Sequence, residues 1–194
     1  MKLSVSEFEA MQMPWRKWYI KNGEIRNFRK FGLEIEGKDF LEVGCGSGYA
    51  ASVLCKEHPA SYTGIDLMEE QLEIARGRNI PNASFIQCDA SDLSQFEDES
   101  FDAVLDFCIL HHVEGWRTFF DECRRVLKKG GSIYIADLSR TAVHITDALL
   151  DWGYAEEALF SFEELEREAS RRGFAVLHRK NYFGFEAMYR FVKL

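Results

Sequence analysis

The chain has 194 residues and a net charge of −8, with 46% hydrophobic and 29% charged residues. That length allows one sizeable domain with a real core. The acidic balance argues against a nucleic-acid-binding face and against docking on an anionic membrane, and no apolar run approaches a membrane span.

The first ten residues carry Glu7 and Glu9 and no apolar signal core, so export is not expected and a cytoplasmic location is. The stretch Met11 to Ile20 holds Trp15, Trp18 and Tyr19, large amphipathic rings that either close a pocket or pack on a sheet. From Asp39 on, short apolar runs alternate with helical patterns. Strands are predicted at Asp39–Val43, Ser61–Ile65, Ser84–Cys88, Asp102–Phe107 and Ser132–Ala136. Helices are predicted at Ala50–Lys56, Glu69–Arg76 and Trp116–Leu127, the last stopping at Lys128-Lys129-Gly130-Gly131. Such alternation specifies a parallel sheet with helices on both faces. Residues 140–160, with Trp152, Tyr154 and Phe160, form a long connection whose rings suit the lining of an apolar pocket.

Ser161-Phe162-Glu163-Glu164 has the form of a capping box, and Gly173 of a helix stop. Strands at Phe174–Leu177 and Ala187–Val192 follow. The gap between them is too short for a crossover helix, so they form an antiparallel hairpin. The five cysteines, Cys45, Cys55, Cys88, Cys108 and Cys123, make no C-x-x-C pair and read as reduced thiols. No metal site is expected.

The chemistry concentrates in Phe40-Leu41-Glu42-Val43-Gly44-Cys45-Gly46-Ser47-Gly48, a strand running into a loop with glycine at every second position. Backbone without Cβ can turn sharply and lie against a ligand. The spacing is G-x-G-x-G rather than the G-x-G-x-x-G of NAD sites, and no P-loop lysine follows. Asp66 ends the second strand, where an acid can accept from both ribose hydroxyls of an adenosine ligand. Asp89 ends the third, where it can accept from an adenine amine. Either aspartate alone reads equally as a helix cap. With the glycine loop ahead of them, the pair reads as one site, because strand ends in an open α/β sheet converge on one crevice.

As an ordered set these segments resemble class I S-adenosylmethionine-dependent methyltransferases. LEVGCGSG resembles their first motif, YTGIDLMEEQLEIAR the second, FIQCDASDL the third and FDAVLDFCILHHV the fourth, with RVLKKGGSIYIADLS after it. The likeness covers Asp39 to Ser139 and looks closest to the small-molecule branch that includes ubiquinone and menaquinone C-methyltransferases, the type 11 group. It implies a Rossmann-like, doubly wound, seven-stranded, mostly parallel α/β sheet with an antiparallel C-terminal hairpin. The whole of 1–194 would be one methyltransferase domain: a helical cap over 1–38, a cofactor-binding core over 39–139, a substrate lid over 140–160, and the last helix and hairpin over 161–194.

The same resemblance implies S-adenosyl-L-methionine as cofactor and S-adenosyl-L-homocysteine as product. Gly44, Cys45, Gly46 and Gly48 would form the floor under the methionine part, with Glu42 holding that end. Asp66 would take the ribose and Leu67 would pack on the adenine. Asp89 and Ala90 would meet the adenine edge. Phe107 and Cys108 would border the sulfonium, and Tyr19 or Trp18 would close over the cofactor. His111 and His112 follow the fourth strand, where a histidine could take a proton from an acceptor. The expected partner is a small molecule, with no nucleic acid and no membrane, and the expected assembly a monomer or homodimer. A methyltransferase of protein or RNA and a silent cofactor-binding module stay open as alternatives. The acidic balance disfavours RNA, and Asp106-Phe107-Cys108-Ile109 stands where an N-P-P-Y-type motif would.

Overall fold

The computed structural model describes Ala10 and residues 12–194. Seven strands form one sheet: β1 Asp39–Val43, β2 Ser61–Asp66, β3 Ala83–Gln87, β4 Phe101–Phe107, β5 Leu127–Leu138, β6 Phe174–Tyr182 and β7 Glu186–Lys193. Their order is β3-β2-β1-β4-β5-β7-β6. β1 to β5 pair in parallel, and β7 runs antiparallel to both β5 and β6. The α/β sheet, mostly parallel with an antiparallel terminal hairpin, is as the sequence predicts. Strand order reverses between β1 and β4, and a crevice opens at the carboxyl ends on either side of such a reversal.

The helices are α1 Pro14–Tyr19, a π-helical turn Ile20–Ile25, α2 Arg26–Lys30, α3 Tyr49–Leu54, α4 Glu69–Gly77, α5 Trp116–Val126, α6 Arg140–Leu150 and α7 Phe162–Arg171. Side chains alternate across the strands, so the sheet has two cores. Leu41, Val43, Val104, Ile133 and Ile135 face α5 and α7, where Trp116, Phe119, Phe120 and Leu165 are buried. Phe40, Leu105, Phe107 and Tyr134 face the N-terminal helices, α3 and α4, with Phe28, Leu54 and Leu72. The same alternation puts Glu42 on the α3 side, and Asp106 and Asp137 on the α5 side.

Three elements differ from expectation. α5 ends at Val126, at the predicted stop, but the chain passes directly into β5 at Leu127, so Lys128 to Gly131 are strand and β5 starts well before the predicted Ser132. Lys128 is held there by Asp39 and Asp102, 2.7 and 2.8 Å from its Nζ. Residues 140–150 form a helix, capped by the Ser139 hydroxyl on the Ala142 amide. The N-terminal run is helical and widens into a π turn at Gly23, where a Cβ would stand 2.7 Å from the Tyr19 ring. The capping box at Ser161 and Glu164 is present with both bonds. β6 lies at the sheet's outer edge, and its register with β7 shifts between Val176 and His178.

Candidate active site

The glycine loop leaves β1 at the reversal of strand order. Gly44 has φ +61°, and a Cβ there would lie 2.2 Å from Cγ1 of Ile109, so only glycine fits against the loop after β4. The Cys45 amide donates to the Ile65 carbonyl at 2.9 Å and ties the turn to β2. One oxygen of Asp66 accepts from the Gly46 amide and the other from the Met68 amide, both at 2.9 Å. The carboxylate thus joins the glycine loop to the start of α4. Burial raises its pKa, against the pull of those amides.

Two cavities meet at this junction. One, of about 280 Å³, is lined by Leu67, Cys88, Asp89, Ala90, Ser91 and His112. The other, of about 80 Å³, is lined by Glu42, Cys45, Gly46, Phe107, Cys108 and, from the N-terminal segment, Arg16. Gly44, Asp66 and Ile109 line both. Asp89 also keeps its capping role, accepting from the Ser91 amide and hydroxyl at 2.8 and 2.7 Å. Gly48 lies outside both cavities, at φ +71°, pressed against Ala75 and Phe85. Tyr19 lines neither: its hydroxyl donates to the Glu186 carboxylate at 2.5 and 2.7 Å.

Arg16 is buried. It forms an ion pair with Glu24 at 2.7 Å and donates to the Phe107 carbonyl at 2.9 Å, which fixes the N-terminal helix over the end of β4. In sequence, Arg16 and Lys17 read either as a draw for an acidic acceptor or as a solvated helix face. The burial of Arg16 needs Glu24 eight residues on, and i,i+8 is not a pattern that local propensity marks.

Glu42 accepts from the Tyr62 hydroxyl at 2.8 Å, and burial lifts its pKa from 4.5 to about 8. The folded state therefore holds this proton more tightly than the unfolded chain. The stabilisation is complete below the ordinary glutamate value and is lost as the pH rises through about 8. Wild-type protein should lose on the order of 3 kcal/mol between mildly acidic and mildly alkaline buffer. Glu42→Gln should flatten that slope in denaturant titrations; parallel profiles for the two proteins would refute the assignment.

A second polar group lies beside the crevice. His111 Nδ1 lies 2.5 Å from Oδ1 of Asp137, at the end of β5, and the His111 amide donates to the other oxygen at 3.2 Å. Both side chains are buried, 3% and 1% exposed. Asp106 is also buried; burial and then the Asp137 charge hold its carboxyl well above the usual range. The His111 and His112 rings pack against Tyr154, with centroids 5.6 and 5.0 Å away. His112 lines the larger cavity, whereas His111 lies behind it. Asp137 was not visible as a site residue, because it sits in the apolar run of β5, 26 residues from His111.

Among the described residues, Cys108, His111 and Asp137 form one group with donor atoms within 4.8 Å of one another. The nitrogen–oxygen separation within it, 2.5 Å, is that of a direct hydrogen bond. Donors around a tetrahedral zinc with bonds of about 2.1 Å stand about 3.4 Å apart.

This fold and crevice define a class I methyltransferase architecture. Residues 41–135 match the methyltransferase domain family of type 11. The chain carries a class I S-adenosylmethionine-dependent methyltransferase domain of that family. It is 43% identical over 108 residues to a phthiotriol/phenolphthiotriol dimycocerosates methyltransferase of Mycobacterium tuberculosis, covering 55% of this chain and 40% of that one. It is 43% identical over 106 residues to a fatty-acid O-methyltransferase of Mycolicibacterium smegmatis, covering 54% and 38%. The chain thus spans well under half the length of these relatives. Among solved structures, a SAM-dependent methyltransferase from Aquifex aeolicus superposes with a TM-score of 0.76 at 19% identity, covering 100% of both chains. A putative methyltransferase from Haloferax volcanii, in complex with the activator Trm112, gives 0.77 at 19%, covering 97% and 98%. No helix among the described residues is long and apolar enough to cross a membrane.

Proposed function

We propose that this chain transfers the methyl group of S-adenosylmethionine to a small, largely apolar acceptor and releases S-adenosylhomocysteine. The observation that carries the reading is the shared lining of the two cavities. One elongated ligand can run from Glu42, past Gly44 and Asp66, to Asp89. The crevice also fits such a ligand chemically. A Cβ at Gly46 would first meet another side chain at 3.8 Å, so the loop leaves open space. Asp66 spends one acceptor site per oxygen on backbone amides, which leaves capacity for two ribose hydroxyls.

The cofactor supplies an electrophilic methyl on a positively charged sulfur. The chain's part is to hold both reactants in line and keep water out. Residues 39–139 bind the cofactor, the helices before residue 38 cap it, and residues 140–160 cover the acceptor with Tyr154. The segment 161–194 completes the sheet. The base is one of the two histidines after β4. His112 lines the larger cavity, and His111 lies behind it with Nδ1 on Asp137, a contact that favours the tautomer whose Nε2 keeps its lone pair. The lipid and fatty-acid acceptors in the relatives' names support an apolar acceptor.

The test combines purified protein, S-adenosylmethionine labelled on the methyl group, and a cell extract split into lipid and polar fractions. Label should enter the lipid fraction. Label in the polar fraction alone would overturn the acceptor class. No label in either fraction, and no heat with S-adenosylhomocysteine, would overturn the activity.

A further inference from the structure

Several of the large apolar side chains exposed among the described residues lie at the carboxyl rim of the sheet, whereas Ile74, Val176, Leu177 and Leu194 are exposed elsewhere. Trp15 and Trp18 on α1 are 58% and 64% exposed, Leu149 on α6 is 78%, and Phe183 in the hairpin turn is 97%. Leu150 and Phe185 beside them are also exposed. These residues are distant in sequence, but the fold brings their elements together. Glu186 pairs with Leu138 in the sheet register, so the β6–β7 turn lies where β5 ends and α6 begins. The Ser139 amide donates to the Phe185 carbonyl at 2.9 Å, and its hydroxyl to the Gly184 carbonyl at 2.7 Å. Tyr19, next to Trp18, reaches Glu186 on the other side of the same turn. Isolated exposed apolar residues need no explanation; a cluster drawn from three elements does.

On its N-terminal side the cluster is basic, against the chain's average. The net charge is −8, yet Lys17, Lys21 and Arg26 stand beside Trp15 and Trp18, while Arg16 is buried on Glu24, Arg29 pairs with Glu57, and Asp147 and Asp151 flank Leu149 on the other side. Lys21 and Arg26 are exposed. Exposed tryptophan and phenylalanine beside a row of cations is the composition of a surface that lies in a lipid headgroup layer. The overall acidity that argued against a membrane does not describe the N-terminal side of this face.

We propose that this rim, centred on Trp15, Trp18 and Phe183, docks the protein onto an anionic lipid surface. The rings enter the headgroup layer, and the cations of the N-terminal helices meet the lipid phosphates. The inference needs no particular acceptor, and its test needs no turnover.

The full chain is sedimented with vesicles of phosphatidylglycerol and phosphatidylcholine in equal parts, and with phosphatidylcholine alone. Binding is expected to the anionic vesicles, with a blue shift of tryptophan fluorescence and release when salt is raised to about 0.5 M. Joint replacement Trp15→Ser, Trp18→Ser and Phe183→Ser should lower the bound fraction at least fivefold. Lys21→Glu with Arg26→Glu should remove the preference for the anionic lipid. All five residues are exposed, so circular dichroism and melting should match wild type. The proposal fails if the wild type stays in solution with anionic vesicles at low salt, or if the triple variant binds as the wild type does. It also fails if sedimentation equilibrium finds a homodimer that the triple variant dissolves, since a second copy would then own this face.

Discussion

Replacing Asp66 with alanine is expected to weaken binding of S-adenosylhomocysteine at least a hundredfold, about 2.7 kcal/mol. Two losses combine. The carboxylate is the proposed acceptor for the ribose hydroxyls, and hydrogen bonds to a charged group are worth about 1.5–3 kcal/mol each. It also ties the Gly46 amide to the Met68 amide, so its removal frees the loop that lines both cavities. Asp66→Asn keeps the shape and one acceptor oxygen and should fall between alanine and wild type. Titration calorimetry reads both, with melting curves to confirm the fold. Burial raises the Asp66 pKa, so wild-type affinity should decline on acidification sooner than for an ordinary aspartate. Unchanged affinity in a folded Asp66→Ala protein would remove this crevice as the cofactor site.

His111→Gln should lower kcat by about 10²–10³ while leaving S-adenosylhomocysteine affinity within about twofold. His111 lines neither cavity, so its loss should spare the cofactor site and act on turnover through the adjoining His112 ring, 4.1 Å away. Asp137→Asn should cost about tenfold to a hundredfold in kcat and move the acidic limb of the pH–rate profile. The amide can donate to Nδ1 and hold the ring in the tautomer that lacks a free Nε2 lone pair. The groups facing His111 are His112, Tyr154, Asp137, Cys108 and the raised Asp106 carboxyl. A profile unmoved by Asp137→Asn would leave the carboxylate only a packing role. Full turnover in His111→Gln would assign the proton transfer elsewhere.

The glycine loop and Asp66 were readable because their signals are local. A strand pattern ends, alternating glycines turn the chain, and the next strand ends in an acid. The antiparallel hairpin was readable from length alone, since no crossover helix fits between β6 and β7. The His111–Asp137 contact was not, because it joins two strand ends 26 residues apart and neither residue announces the other. Arg16 reads as a surface cation, and only the fold shows that Glu24 and the Phe107 carbonyl neutralise it in the interior. Lys128 to Gly131 read as a helix stop followed by loop; the helix does stop, but Asp39 and Asp102 capture Lys128 and extend β5 back to Leu127. In each case a distant partner overrode the local preference.

The outer strand β6 has one further consequence. A row of unsatisfied peptide groups at a sheet's border is a template on which another chain can polymerise. Here the shift at Val176/His178 kinks that border, and Lys180 and the Arg179–Glu166 ion pair place charged side chains along it. An incoming copy would meet a bent track and a charged fringe, so the border resists end-to-end growth into fibres.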